Sequence, residues 1–537
     1  MADIRIRAGR PATQAPNGMV TCPHALASQA GVDVLRAGGS AVDAAIAASA
    51  ALSVIYPHMT SIGGDAFWLI HDAATRQVRY IDGGGRAAAS GTIDAFARRG
   101  LNEVPYRGAL PGTLTVPGAV ASWAEAHAAY GRLPLKRCLD SAIGFARDGF
   151  PVTDRLAYWR ELAREELKKC PHAAAIFLKD GATLRNPDLA RTLEAIASDG
   201  WYGFYEGEVA RELVRYSEGS HGFFRADDLK AQKARWAEPL RGSYRGVTIY
   251  ETPPPTQGFT VLEMLNLIEP LELHRRPFQG ADYVHFMIQA KQLAYHDRDR
   301  YLGDPRFVDM PTERLISKPY ADERRALMDP EHALPWDKIP SYGSLAGDTV
   351  YIAVVDREGN AVSLIHSVYG GFGAAVVAGR TGVILQNRSA YFSLDPASPN
   401  RLEPGKVPLH TLIASLAFRD DKFWAAVGCM GADGQPQIHL QAYVAMIDHG
   451  LDIQQAVEAP RFLSGRFAIG EPRDMLHIEA RVPAATIAEL ERRGHQIDRW
   501  GDWSELAGHA HGITVDPVSG LRIGGADPRS DGEAIGY

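Results

Sequence analysis

The chain has 537 residues, with 57 Lys and Arg against 64 Asp and Glu for a formal net charge of −7, and it is 46% hydrophobic and 23% charged. These are the proportions of a globular protein, and the acidic balance without any basic run excludes nucleic acid as the expected partner. The length exceeds what one ordinary core holds, so two or more lobes are expected.

Cys22, Cys138, Cys170 and Cys429 show no paired spacing. They form neither a disulfide framework nor a zinc motif, which fits a reducing compartment and predicts no metal. Residues 1–20 hold Arg5, Arg7 and Arg10 but no apolar segment of a secretory signal. The longest apolar run, near 44–55, is too short to cross a bilayer. A cytoplasmic protein with no membrane partner is the expectation.

In chain order, residues 24–36 read as a helix stopped by Gly38 and Gly39. Ser40 caps a second helix, 41–55, which is Ala-rich, apolar on most faces and hence buried. A glycine turn at 61–65 leads into a strand at 66–71, with 77–82 as its hairpin partner. The run Gly83-Gly84-Gly85-Arg86 lacks the Lys-Ser/Thr and the helix that a phosphate loop needs. Helices are predicted at 118–130, 135–148 and 155–169, and Leu189, Leu193 and Ile196 mark another at helical spacing. A strand at 244–251 ends at Pro253-Pro254-Pro255, and helices follow at 260–268 and 283–301. The Pro- and Gly-rich stretch 328–348 is the candidate exposed linker.

Past this point the character changes. Strands are predicted at 350–355 and 361–367 around a turn at 357–360, then at 383–386, 412–418 and 423–427. The last of these ends in the glycine-rich 428–434. Helices at 438–449 and 483–493 precede a closing hairpin, 513–516 with 521–523. Residues 1–348 are thus mainly helical and 349–537 strand-rich, together an α+β layered protein.

Thr349 stands at the junction, behind the small-residue loop 343–347 and ahead of the β-branched run 350–355. Cleavage between Asp348 and Thr349 would make its hydroxyl a nucleophile and its new α-amine the base. An ordinary threonine opening a strand is the other reading of this window.

Several stretches together resemble the γ-glutamyltransferase family of N-terminal nucleophile hydrolases. They are Gly38-Gly-Ser-Ala-Val-Asp-Ala-Ala45, Ala146-Arg-Asp-Gly-Phe150, Tyr301-Leu-Gly-Asp-Pro305, Asp348-Thr349 with Val354-Val-Asp356, Gly359-Asn-Ala-Val362 and Ala526-Asp-Pro-Arg529. They occur in the family's order from about residue 18 to 537. The resemblance implies a four-layer αββα sandwich. It also implies a proenzyme that cuts itself before Thr349 into a large helical subunit, 1–348, and a small strand-rich one, 349–537. The partners implied are a small-molecule amide and the chain's own second fragment, with a dimer of such heterodimers as an option, and no cofactor is implied.

Site residues carry over one by one. Ser367 matches a hydroxyl residue near the nucleophile's amine, with a strand serine bonded to backbone as the alternative. Gly431 and Ala432 match a Gly-Gly pair that supplies oxyanion-hole N–H groups; backbone donors tolerate the alanine if its backbone angles are allowed. The glutamyl pocket departs much further. Where the family holds an ammonium with amide and acidic side chains, this chain has Tyr369, Arg388 and Tyr391. An arginine there repels an ammonium and suits a carboxylate. A surface arginine and two core tyrosines are the alternative. The serine pair that holds the α-carboxylate reads His410-Thr411, the family's arginine position reads Gly84, and Arg86 stands two residues on. The loop 393–407 is shorter than the family's lid. The resemblance so modified implies a self-processing amidohydrolase for a small carboxylate-bearing amide, of which oxamate is an example known in the family. Ordinary γ-glutamyl hydrolysis or transfer on glutathione-like substrates is the alternative, and an uncut, non-catalytic binding protein is the third reading.

Overall fold

The computed structural model describes residues 9–107, 113–335, 348–465 and 475–537. Two seven-stranded antiparallel sheets lie face to face. The first runs Glu533–Gly536, Met19–Cys22, Asp348–Val355, Ala361–Tyr369, Asp65–Asp72, Gln77–Gly83, Arg235–Ala237. The second runs Thr13–Ala15, Arg522–Ala526, Ala510–Val515, Lys422–Cys429, Ser415–Arg419, Val247–Glu251, Leu240–Tyr244.

The strand after Thr349 shows why these layers form. Val350, Ile352 and Val354 pack outward with the helix Ala41–Ile55, while Tyr351, Ala353 and Val355 face the other sheet. A strand buried on both faces reads as continuous hydrophobic sequence, and each large apolar side chain contributes about 1.5–3 kcal/mol. Helix Ala41–Ile55 is buried along its whole length and opens with a capping box between Ser40 and Asp43. With Ala25–Arg36 and Ala119–Tyr130 it covers the first sheet, and Leu135–Asp148 packs against it in turn. Phe259–Ile268, Gln435–Asp448 and Ile453–Glu458 cover the second, and Ala281–Tyr301 packs on the first two of these. Three buried cores separated by two sheets make the four αββα layers.

Both sheets draw strands from before and after Thr349, so the two segments share one sandwich; the layers, not separate domains, divide the core. Buried ion pairs also join them: Arg155 Nε lies 3.2 Å from Glu505 Oε2, and Arg155 Nη1 lies 3.1 Å from Asp531 Oδ1.

Local differences have local causes. The helix expected at 155–169 is two, Asp154–Leu162 and Arg164–Lys168, broken at Ala163. The strand expected at 244–251 is a hairpin, because Arg245 and Gly246 take left-handed backbone angles and turn the chain. Residues 383–386 are buried but make isolated bridges rather than a strand. The C-terminal strand Glu533–Gly536 pairs with Met19–Cys22 beyond the expected closing hairpin. Most of the expected linker, 336–347, lies outside the described residues. Among the described residues no helix is long and apolar enough to cross a membrane.

Candidate active site

One end of the sandwich gathers the site. The first sheet supplies Thr349 at the start of one strand and Ser367 near the end of its neighbour. The second supplies the segment 410–411 ahead of Ser415–Arg419, the turn 431–434 after Lys422–Cys429, and Gln257 after Val247–Glu251. Register explains the pairing: Ala361 and Ile365 face the space between the sheets, and Ser367 continues that row. A bulge between Asp348 and Val350 sets Asp348 against Tyr369. Thr349 is buried, and its Oγ1 donates to Ser367 Oγ at 3.2 Å. Ser367 Oγ also accepts from the Tyr369 N–H at 2.8 Å. The turn 61–65 lies so close behind it that a Cβ at Gly64 would sit 2.1 Å from the Ser367 carbonyl oxygen, which is why glycine stands there.

Arg388 is fully buried. Its Nη2 donates to Ser367 Oγ at 3.2 Å, its Nη1 to Thr411 Oγ1 at 2.9 Å, and its Nε has no partner. The guanidinium lies over the rings of Tyr369, at 4.6 Å, and Tyr391, at 5.6 Å. Its direct acceptors are two hydroxyls, and among the described residues no carboxylate pairs with it. Burial lowers its pKa, with Tyr391 and Tyr369 opposing. A guanidinium nevertheless keeps its proton in a protein. The surface-arginine alternative is thereby excluded. Tyr369 is buried and Tyr391 half-buried, and burial of their hydroxyls chiefly pushes both pKa values up.

The turn at Gly431 is held from several sides. Ala432 sits at φ +45°, in the left-handed region, and Gly431 at φ +141°. Alanine therefore adopts the angles, at a cost of roughly 1–2 kcal/mol. Asp433 accepts from Arg298 Nη1 through Oδ1 and from the Tyr391 hydroxyl, 3.2 Å away, through Oδ2, while its carbonyl accepts from Tyr295. Gln257 Nε2 donates to the carbonyls of Thr411, at 2.9 Å, and Ala432, at 3.0 Å. Sequence reasoning missed Gln257, Arg298 and Asp433. A polar pair, Thr256-Gln257, opening an apolar helix was the one available signal.

His410 is buried, with Nε2 3.3 Å from Asp65 Oδ2 and its ring edge-on to Phe67. Burial lowers its pKa against the pull of Asp65, so it is neutral near pH 7. Asp65 in turn accepts from the N–H groups of Gly85, at 2.8 Å, and Gly118, at 3.2 Å, so the glycine run faces a carboxylate and is no phosphate cradle. Arg86 is the one expected pocket residue that is not brought together with the rest. It is half-buried, its Nη2 donates to the Lys233 carbonyl at 3.4 Å, and its charged surroundings are Arg235, Arg306, Asp82 and Asp304. Elsewhere, Asp43, His127 and Cys138 lie close together. Asp43 Oδ2 already accepts three backbone N–H groups, and His127 Nε2 meets the Leu133 carbonyl at 2.8 Å, so the cluster serves as a helix cap.

Comparison with known proteins agrees with this geometry. The family model described as Gamma-glutamyltranspeptidase matches residues 27–537. The glutathione hydrolase-like YwrD proenzyme of Bacillus subtilis is 40% identical over 524 residues, covering 96% of this chain and 98% of that protein. The oxamate amidohydrolase proenzyme of Klebsiella pneumoniae is 39% identical over 536 residues, covering 97% and 98%. The crystal structure of cephalosporin acylase from Bacillus halodurans superposes with a TM-score of 0.91 at 35% identity, over 100% of this chain and 98% of that one. The chain belongs to the γ-glutamyltranspeptidase family and is an amide-bond hydrolase of its N-terminal nucleophile type.

Proposed function

We propose that the chain is a self-processing threonine amidohydrolase for small amides bearing a carboxylate close to the scissile carbonyl, with oxamate as the model substrate. The observation that carries this reading is the buried Arg388 guanidinium, unpaired by any described carboxylate and one hydroxyl away from Thr349. Asp65 and Asp433 act on this charge only at longer range, and a buried cation without a directly paired carboxylate is costly to an empty site and favourable to one holding an anion. It opposes the ammonium of a γ-glutamyl group. The 39% identical Klebsiella relative is called an oxamate amidohydrolase, which is in keeping with this reading.

Spacing supports a short substrate. Two contacts of 3.2 Å each separate Arg388 Nη2 from Thr349 Oγ1 through Ser367. A carboxylate one bond from the scissile carbonyl reaches both groups.

In maturation, Thr349 Oγ attacks the Asp348 carbonyl carbon and the Asp348–Thr349 C–N bond breaks. This leaves an ester and a free α-amine, and water hydrolyses the ester. In turnover the α-amine, with a reference pKa of about 8, takes the hydroxyl proton as Oγ attacks the substrate amide. The N–H groups of Gly431 and Ala432 receive the oxyanion. The C–N bond breaks and ammonia leaves with the proton from the α-ammonium. Water then gives a proton to the amine and attacks the acyl ester, releasing the diacid and restoring the hydroxyl. Ser367 orients Thr349, Arg388 and Thr411 hold the carboxylate, and Tyr369 and Tyr391 wall the guanidinium.

The test is ammonia release from oxamate set against release of p-nitroaniline from γ-glutamyl-p-nitroanilide, with mature enzyme. Turnover of oxamate is expected; turnover of the anilide alone refutes the carboxylate reading.

A further inference from the structure

The two halves of the proposed site, the carboxylate clamp and the oxyanion turn, lie on different connections of the second sheet. A single side chain ties them. Gln257 is fully buried, and its one amide nitrogen donates to the carbonyl of Thr411 on the clamp side and to that of Ala432 on the turn side, at 2.9 and 3.0 Å. The amide cannot be reversed. Arg298 Nη1 donates to Oε1 at 2.7 Å, and a guanidinium offers donors only, so the NH2 group must face the two carbonyls. The same Arg298 nitrogen donates to Asp433, the residue after Ala432. Arg298 itself is buried, packed over the Tyr295 ring at 4.2 Å, and its Nε meets Asp299 at 3.0 Å. Thr411, whose carbonyl Gln257 holds, presents its hydroxyl to Arg388.

From this we infer that Gln257, locked by Arg298, is a positioning residue that fixes the distance between the carboxylate clamp and the oxyanion turn, and so sets the length of acid amide the enzyme accepts. The inference rests on the function proposed above. The physical basis is rigidity: an amide with both donors and its acceptor engaged is a fixed strut, and it holds Ala432 at left-handed angles that a free alanine avoids. A misplacement of about 1 Å at such a site costs about a hundredfold in rate.

The test is a length series, oxamate, malonamate and succinamate, with wild type, Gln257→Glu and Arg298→Lys, all matured and checked for unchanged melting. Gln257→Glu keeps the size and the acceptor for Arg298 but turns an oxygen toward the two carbonyls. Arg298→Lys keeps a cation for Asp433 and removes the fork that locks the amide; it decides the matter if the first variant fails to fold. Wild type is expected to prefer oxamate. In either variant kcat on oxamate is expected to fall at least tenfold, and the oxamate-to-succinamate ratio of kcat/KM to fall at least tenfold. A residue that merely packs would shift melting without changing that ratio. Variants with both quantities within threefold of wild type overturn the inference, as does a wild type that takes the three lengths equally. A wild type that hydrolyses none of the three overturns the proposed substrate class itself, and the inference with it.

Discussion

Arg388→Met separates binding from folding at the centre of the site. Methionine approximates the length of arginine without its charge. In the resting enzyme the substitution removes two hydrogen bonds to hydroxyls, at 2.9 and 3.2 Å, each worth about 1 kcal/mol net. It also removes a buried charge that no described carboxylate pairs with directly, Asp65 and Asp433 acting only at longer range, a penalty of up to several kcal/mol. These effects oppose each other, so melting of the free variant should match or exceed that of wild type. With substrate the balance reverses. A charge-assisted contact to the carboxylate is worth about 1.5–3 kcal/mol, and at about 2 kcal/mol its loss weakens binding roughly 30-fold. The assay is ammonia release across oxamate concentration with matured variant: KM rises roughly 30-fold, and the melting shift that saturating oxalate gives wild type disappears. A KM within twofold of wild type refutes the anion-clamp argument. A collapse in melting temperature with unchanged KM assigns the guanidinium to structure.

Other outcomes follow from single residues. Thr349→Ala should remain one chain and be inactive, and Thr349→Ser should process slowly, as followed by denaturing electrophoresis; an alanine variant that splits at the same bond removes Thr349 as nucleophile. Ala432→Gly releases the left-handed strain at φ +45°, and after the entropy cost of glycine should leave stability unchanged or raised by up to about 1 kcal/mol in denaturant unfolding; a clear loss contradicts the strain. Burial pushes the Glu505 carboxyl up, but His509 and Arg155 outweigh it and bring it down to about 2 from the usual 4.5. A depressed carboxylate stabilises the fold above its unfolded pKa and loses that contribution as pH falls toward its folded one. Glu505→Gln should therefore be less stable than wild type by up to about 3 kcal/mol at pH 7, with the gap narrowing between pH 4.5 and 2. A gap of equal size at pH 7 and pH 3 would contradict the ion-pair account.

What the sequence made legible was what repeats or caps. Ser40 announced its helix, and the β-branched run after Thr349 announced a doubly buried strand. The family stretches pointed to the candidate nucleophile position and to the departures at Tyr369, Arg388 and Tyr391. Single polar residues joined across long separations were not legible. Gln257 meets Ala432 across 175 positions, and Arg298 meets Asp433 across 135. No periodicity encodes such a contact; the fold alone brings the end of one strand, a helix face and a turn to one place. Arg86 failed for the opposite reason. Its proximity in sequence to Gly84 suggested a substitute ligand, but a side chain two residues along a glycine run takes its direction from the turn, which sends it to the Lys233 carbonyl.

The most direct test of the account is the intact mass of the purified protein under denaturing conditions, with N-terminal sequencing of any fragment. The account predicts a fragment of about 20 kDa beginning Thr349-Val350-Tyr351, the threonine carrying a free α-amine. A single uncut chain of full mass, or a fragment beginning at any other residue, would contradict it.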